Sequence, residues 1–408
     1  MLNKMSQKIH RSLVEGLVFA LSETFIQNRK SDKVLAGLFK QNKKWGARDR
    51  GFIAENTYDI VRWWRSITDA AGLDYKHIKP YQIWFTVKAW LDLNNYDIPV
   101  WKEWEKFDTQ KFRIKYLAEN KPNVLRYSIP DWLDSIGSEQ LGIEKWESEL
   151  SVINDSAPVT IRANLFKNDA PALMKILAEE GVETSLVEGV PHALKINKRQ
   201  NIFITQAFKD GRFELQDPGS QLIAQYLDVQ PGQRVIDACA GAGGKSLYLS
   251  NLMQNKGQLI SLDVEQWKLD ELKKRARRNG AHNIETRLIE SKTIKRLNES
   301  ADRVLLDVPC TGLGTLRRNP DAKWKLSLSF LEEVTQLQAS ILKNYSSMVK
   351  PGGKMVYATC SILPSENELQ VIKFLETNTA WTLLKESHTD TLKTGFDGFY
   401  MALLLRNS

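Results

Sequence analysis

Arg234-Val-Ile-Asp-Ala-Cys-Ala-Gly-Ala-Gly-Gly-Lys-Ser246 reads as a strand, a tight glycine loop and the first residues of a helix. The alternation continues towards the C-terminus. Strand-like runs at Arg234–Asp237, Gln258–Asp263, Arg303–Asp307 and Lys354–Thr359 are each followed by a helical run: Ser246–Met253, Gln266–Asn279, Leu328–Met348 and Glu366–Thr377. This order predicts an α/β fold: a doubly wound, Rossmann-like parallel sheet with helices on both faces. In such sheets ligands sit beyond the carboxyl ends of the strands, and the polar motifs of this chain fall at those ends. Two nucleotide-binding patterns fail on spacing. A Walker loop needs glycine five residues before the Gly-Lys pair, where this chain has Cys239. A dinucleotide fingerprint starting at Gly241 needs glycine where Ser246 stands.

The remaining reading is the loop of a class I methyltransferase, where glycines let the backbone pass close to S-adenosylmethionine. The following strand supports it by ending in Leu262-Asp263. An acid about twenty residues after the loop can accept hydrogen bonds from two ribose hydroxyls.

Ahead of this block the chain has another character. Residues 8–120 carry apolar positions at helical spacing, as in Leu13, Leu17, Ala20 and Leu21. Lys121-Pro122-Asn123 and Ser128-Ile-Pro130 punctuate the end of that region. Val159–Ala163 then alternates like a strand, and Ala170–Gly181 reads as an amphipathic helix. Three regions follow: an all-α domain over 1–125, a small α/β insert over 126–205, and the doubly wound domain over 206–408.

The net charge of +8 is concentrated at the front. Residues 1–125 hold 22 Lys+Arg against 14 Asp+Glu, and the remainder 35 against 35. Seven of the 12 tryptophans precede residue 105. Cations with interleaved aromatics suit a polyanion such as RNA, although each tryptophan by itself reads as helical core. The dispersed histidines (His10, His77, His192, His282, His388) show no metal-ligand spacing, so no metal is expected. No run approaches the roughly 18 apolar residues of a membrane span. Met1–Lys8 is polar and unlike a secretory signal. With only three, dispersed cysteines, these features give an expectation of a cytoplasmic protein.

All three cysteines lie in motif blocks: Cys239 in the glycine loop, Cys310 in Asp307-Val-Pro-Cys-Thr-Gly312, and Cys360 in Tyr357-Ala-Thr-Cys-Ser-Ile-Leu-Pro-Ser-Glu-Asn367. If their strands are parallel neighbours, two thiols meet at one pocket. Such a pair suits methylation of cytosine carbon 5. A thiolate adding to carbon 6 turns the ring into an enamine, and carbon 5 then attacks a methyl sulfonium. An acid near ring nitrogen 3 assists, a role open to Asp307.

These blocks, with Leu316-Arg-Arg-Asn-Pro-Asp-Ala-Lys-Trp324, resemble the RsmB/Nop/NSUN family of RNA (cytosine-5) methyltransferases. Thr160-Ile-Arg-Ala-Asn164 and Leu215-Gln-Asp-Pro-Gly-Ser-Gln221 look like its pre-catalytic segments, and Asp397-Gly-Phe-Tyr-Met-Ala402 like its closing strand. The first 125 residues are similar, more loosely, to the NusB-like RNA-binding region of the RsmB branch. The resemblance implies Cys360 as nucleophile, Cys310 as the thiol assisting release, and Asp307 and Lys245 at the reacting centre. It implies S-adenosylmethionine held by Cys239, Ala240, Gly241, Ala242, Gly243, Gly244, Lys245, Asp263, Glu290 and Asp307. RNA contacts are expected from Arg317, Arg318, Lys323, Trp324, Arg162 and Asn164. The family's usual Cys-Ala-Ala-Pro-Gly-Gly-Lys is altered here to Ala240-Gly241-Ala242-Gly243, without loss of a donor.

The implied protein is a monomer acting on ribosomal RNA, with the small subunit favoured. A transfer RNA methyltransferase and a non-catalytic ribosome assembly factor on the same scaffold are the alternatives. DNA cytosine-5 enzymes use the Pro-Cys thiol with a Glu-Asn-Val motif not found here. Amino-group methyltransferases use an Asn/Asp-Pro-Pro-Tyr-like loop, which Asp307-Val-Pro-Cys310 is not.

Overall fold

The computed structural model describes residues 9–408, so Met1–Lys8 lies outside the described residues. The chain divides into two compact units: Met1–Asp155 with Leu316–Leu328, and Ser156–Thr315 with Ser329–Ser408.

The first unit is helical. Its opening helix, Arg11–Phe25, buries Leu13, Val14, Leu17 and Leu21 along one stripe. Val61, Trp64, Ile67, Ile83, Val87 and Trp104 from later segments complete the core. None of the seven early tryptophans is exposed. Trp64, Trp90 and Trp104 are buried, with indole N–H groups donating to Tyr75 O, Asn56 Oδ1 and Trp84 O. Flat rings with satisfied N–H groups build this core rather than a base-stacking platform.

The second unit holds two sheets. β1 (Thr160–Ala163), β2 (Thr184–Leu186), β3 (Ala193–Ile196) and β4 (Phe213–Leu215) form a small antiparallel sheet in the order β2-β3-β1-β4. The large sheet contains β5 (Arg234–Asp237), β6 (Gln258–Asp263), β7 (Ile284–Leu288), β8 (Ala301–Asp307), β9 (Val349–Thr359), β10 (Trp381–His388) and β11 (Tyr400–Arg406). Their order is β10-β11-β9-β8-β5-β6-β7. β5–β9 run parallel, and the central runs Val304–Leu306 and Met355–Ala358 are buried on both faces.

The α/β class holds, but the sheet is mixed rather than wholly parallel: β11 is antiparallel to both β9 and β10. The physical reason is chain length. Residues 389–399 are too short for a parallel crossover, which needs about a dozen residues or more. The two compact units meet at 155/156, inside the 126–205 region rather than at its ends. Helices Asp131–Leu141 and Ile143–Val152 pair within the first unit, where Trp146 packs against Gly137. The small sheet, in turn, needs Phe213–Leu215 from beyond 205. No described helix is long and apolar enough to cross a membrane.

Candidate active site

The glycine loop joins β5 to the helix Gly244–Leu252. Gly241 and Gly243 adopt φ of +55° and +88°, a region that favours glycine. At Gly243 a Cβ would also strike Leu272 Cδ1 at 2.0 Å. At Gly241 and Gly244 a Cβ would meet nothing within 4 Å, so these positions border open space. Asp263, at the end of β6, is buried and reaches back to the loop: Oδ2 accepts from Gly241 N–H at 2.9 Å and Oδ1 from Glu265 N–H at 2.9 Å. Each carboxylate oxygen keeps a further lone pair for a ligand hydroxyl. A glycine cradle opening beside a preset acid fits a nucleoside-type cofactor. Glu290 is exposed beyond β7. Cys239 stays a thiol, because burial and the nearby carboxylates of Asp237, Asp307 and Asp263 push it well above the usual range.

Asp237 is buried beneath the loop and accepts the Ser246 hydroxyl at 2.6 Å. Burial pushes its carboxyl up to about 7 against the opposing Ser246 bond. The unfolded group titrates near about 4. Between those values the folded chain holds a proton that the unfolded chain has lost, so stability falls as pH rises through the window. Asp237→Asn is expected to flatten this fall, on the order of 4 kcal/mol. Urea midpoints measured against pH check it; an unchanged slope would contradict the assignment.

Arg162 and Asn164 do not face RNA; both are 1% exposed. Arg162 lies 4.6 Å from the Tyr248 ring centre and donates to Gly244 O at 2.8 Å and to Gln216 Oε1. Asn164 donates to Gly211 O and Asn279 O and accepts from Asn251. Arg275, which sequence reasoning missed, donates to Ala242 O at 2.7 Å and to Glu214 Oε2 at 2.8 Å. These guanidiniums anchor the carbonyl side of the glycine loop. The buried Glu214 carboxyl, which burial alone would raise, is held below its usual range by Arg275, Asn279 and Arg278.

β8 and β9 are parallel neighbours, with Asp307 paired to Ala358. Their ends therefore bring Cys310 and Cys360 together, Sγ to Sγ at 3.2 Å, both as free thiols. Cys360 N–H also points at Cys310 Sγ at 3.3 Å. Lys245 Nζ donates to Asp307 Oδ2 at 2.6 Å. Burial alone would lower the Lys245 ammonium, but Asp307 outweighs it and Cys360 adds to the upward shift. Cys310 is pushed well above the usual thiol range by its hydrogen bond to Cys360, by burial and by the Cys360 and Glu366 charges. Glu366, quoted within its motif but given no role from sequence, joins the loops that follow both cysteines.

The segment Leu316–Leu328 belongs to the helical unit. Arg317 is buried, and its carbonyl accepts from Arg62 at 2.8 Å. Lys323 is 1% exposed and donates to Arg62 O and Asn154 Oδ1, both at 2.8 Å. Burial, with Arg62 beside it, pulls its amine well below the usual lysine range. Trp324 packs on the helical core and donates to Val61 O at 2.7 Å. Arg317, Lys323 and Trp324 are therefore internal supports, contrary to the expectation of phosphate clamping and base stacking. Arg318 is half-buried.

Comparison with known proteins agrees with this geometry. Residues 224–404 match the family model described as 16S rRNA methyltransferase RsmB/F, and residues 129–203 match the RsmF/B-like ferredoxin-like domain. The chain is 35% identical over 260 residues to the probable ribosomal RNA small subunit methyltransferase B of Synechocystis sp., covering 63% of this chain and 58% of that protein. It is 34% identical over 251 residues to the probable ribosomal RNA small subunit methyltransferase B of Bacillus subtilis, covering 61% and 56%. These matches thus span less than three fifths of either relative's own length. The crystal structure of PH0851 superposes with a TM-score of 0.82 at 26% identity, over 98% of this chain and 100% of that one. NSun6 from Pyrococcus horikoshii, solved with SFG, shares the fold at a TM-score of 0.63 and 18% identity, over 68% and 98%. Both matched segments lie in sequence order, and the larger, which contains the glycine loop and the thiol pair, resembles the RsmB/F methyltransferase family.

Proposed function

We propose that this chain is an S-adenosylmethionine-dependent RNA (cytosine-5) methyltransferase acting on small-subunit ribosomal RNA, as a cytoplasmic monomer. The observation that carries the reading is the contact of Cys310 with Cys360 at 3.2 Å, on the strand ends that also present the Lys245–Asp307 pair. An enzyme that only bound RNA, or that methylated an amino group, would need no paired thiols there. The small-subunit preference is supported by the names of the Synechocystis and Bacillus relatives.

S-adenosylmethionine, when bound, supplies an electrophilic methyl group. The Gly241–Gly244 backbone, with Cys239, Ala240, Lys245 and Asp307, borders its site, Asp263 takes the ribose hydroxyls, and Glu290 is the proposed adenine-side acid. Cys360 attacks carbon 6 of the extruded cytosine, and a proton at ring nitrogen 3 is managed by Asp307, which Lys245 holds in place. Carbon 5 then takes the methyl group. Cys310 removes the carbon 5 proton, and Cys360 leaves. The order is built into the thiol contact. Once the Cys360 sulfur is bonded to carbon 6, Cys310 loses the hydrogen bond that most opposes its ionisation, so its thiolate becomes available to take a proton when one is needed. RNA is drawn to the basic helical unit, where Lys40, Lys43, Lys44 and Arg48 are exposed.

The test uses total RNA from cells lacking this protein, purified full-length chain and methyl-labelled S-adenosylmethionine. Labelled 5-methylcytidine in small-subunit RNA is the expected product. Label in another nucleoside, or only in transfer RNA, would overturn the reading. Absence of label on both free RNA and small-subunit particles, from protein that binds S-adenosylmethionine, would also overturn it.

A further inference from the structure

Glu366 is fully buried, and among the described residues no lysine, arginine or histidine forms an ion pair with it. A carboxylate in that position costs several kcal/mol unless hydrogen bonds replace its lost water. Four donors do so. Oε1 accepts Thr311 N–H at 2.8 Å and Gln338 Nε2 at 3.1 Å; Oε2 accepts the Thr311 hydroxyl at 2.5 Å and the Ser361 hydroxyl. Thr311 follows Cys310 and Ser361 follows Cys360 in the chain. One side chain thus ties together the two loops that carry the thiols. Its backbone helps as well, since Glu366 O accepts the Tyr357 hydroxyl at 2.7 Å. Next to it, buried Asn367 accepts from Thr359 Oγ1 and donates to Ser361 O at 3.0 Å.

If packing were the only requirement, a neutral side chain of equal volume would serve without the desolvation cost. The charge has a direction. Glu366 acts on Cys310, whereas the Lys245 ammonium interacts with Cys360 and is held by Asp307. The other ionisable groups facing the pair are Tyr357, whose phenol stays protonated through burial, and the buried Asp237 behind Lys245.

We propose that Glu366 is a positioning residue that, by tying Thr311 and Ser361 to one carboxyl group, clamps the two thiol loops together and sets Cys360 apart from Cys310 as the more reactive thiol. This rests on the two-thiol reading above and deepens it. It also supplies a reason, internal to this site, for the division of labour between two cysteines that spacing alone could not separate. Glu366→Gln keeps the shape and removes the charge: its amide oxygen can keep the Thr311 and Gln338 N–H bonds while the two hydroxyls turn to accept from its amide N–H₂.

The test needs neither RNA nor cofactor. The full-length chain is alkylated with iodoacetamide from about pH 6 to about pH 10, and peptide mass spectrometry follows each cysteine. In the unaltered chain Cys360 is expected to react at least about tenfold faster than Cys310 near neutral pH, the effect of about one pH unit of separation. In Glu366→Gln the preference collapses towards equality, while S-adenosylmethionine affinity stays within about twofold. A lower melting temperature with the Cys360 preference intact would mean a merely structural role and would overturn the proposal. Faster alkylation of Cys310 in the unaltered chain would do the same. Should Glu366→Gln fail to fold, Thr311→Val and Ser361→Ala each remove one hydroxyl donor from the carboxylate. At least one should narrow the preference about threefold; no change in either overturns the proposal. Selective Cys360 alkylation without any 5-methylcytidine on RNA would defeat the methyltransferase reading and leave this one standing. Methyl transfer with unselective thiols would do the reverse.

Discussion

Cys360→Ala is expected to lower methyl transfer on the order of 10⁴-fold or more, into the background of the assay, while leaving S-adenosylmethionine affinity unchanged. The size follows from the chemistry. Without addition at carbon 6, carbon 5 of cytosine has no enamine to push electrons toward the methyl donor, and no neighbouring group can substitute. Cys310 lies 3.2 Å away but is the thiol held protonated, and its loop is fixed by Thr311 on Glu366. The cofactor cradle should be undisturbed, because Gly241, Asp263 and Arg275 are tied to each other or to the loop backbone rather than to Cys360. Single-turnover transfer from labelled S-adenosylmethionine, beside calorimetric titration of the cofactor, separates the two effects. A variant retaining more than about one hundredth of the activity would rule out the covalent route.

Cys310→Ala is expected to behave in the opposite sense. The adduct should form, because Cys360, Lys245 and Asp307 remain, but resolve slowly for want of the adjacent base. Stoichiometric RNA–protein conjugate should build up on denaturing gels, with turnover reduced roughly 10²- to 10⁴-fold, the range general acid–base groups supply. The Cys310 thiol takes no part in bonding to carbon 6, so adduct formation should persist without it. Conjugate that is methylated at carbon 5 places the block after transfer, and a double Cys310→Ala, Cys360→Ala chain should form none. A single variant that turns over normally, or that accumulates no conjugate, would remove Cys310 from the release step.

Much of the large sheet was legible because it rests on short-range rules. Buried parallel strands read as apolar runs, as Val304–Leu306 and Met355–Ala358 do, and the helix Gln266–Asn279 has the expected bounds. The edge was harder to read. β7 reads Ile-Glu-Thr-Arg-Leu, only partly buried throughout, and its polar residues hide its period. β10 is exposed along most of its length.

The proposed site residues divide along the same line. Gly243, Asp263, Cys310 and Cys360 were visible in the sequence because chain geometry, not distant packing, demands them. Glycine is needed where φ is positive, and strand ends place Asp263 beside the loop and the two thiols on adjacent strands. Charge and aromaticity were poorer guides. Arg162, Arg317, Lys323 and Trp324 have the composition of an RNA contact, yet they are drawn inward: the Arg162 and Lys323 heads and the Trp324 indole N–H donate to backbone carbonyls, and Arg317 is buried. A guanidinium or ammonium donates equally well to a phosphate or to a peptide oxygen, and only tertiary packing, by removing water from one of those options, decides between them. Glu366 is the same case with the sign reversed. Its sequence position showed an acid near a catalytic loop, whereas its burial and its four donors from three separate elements, which make it a clamp, exist only once the chain has folded.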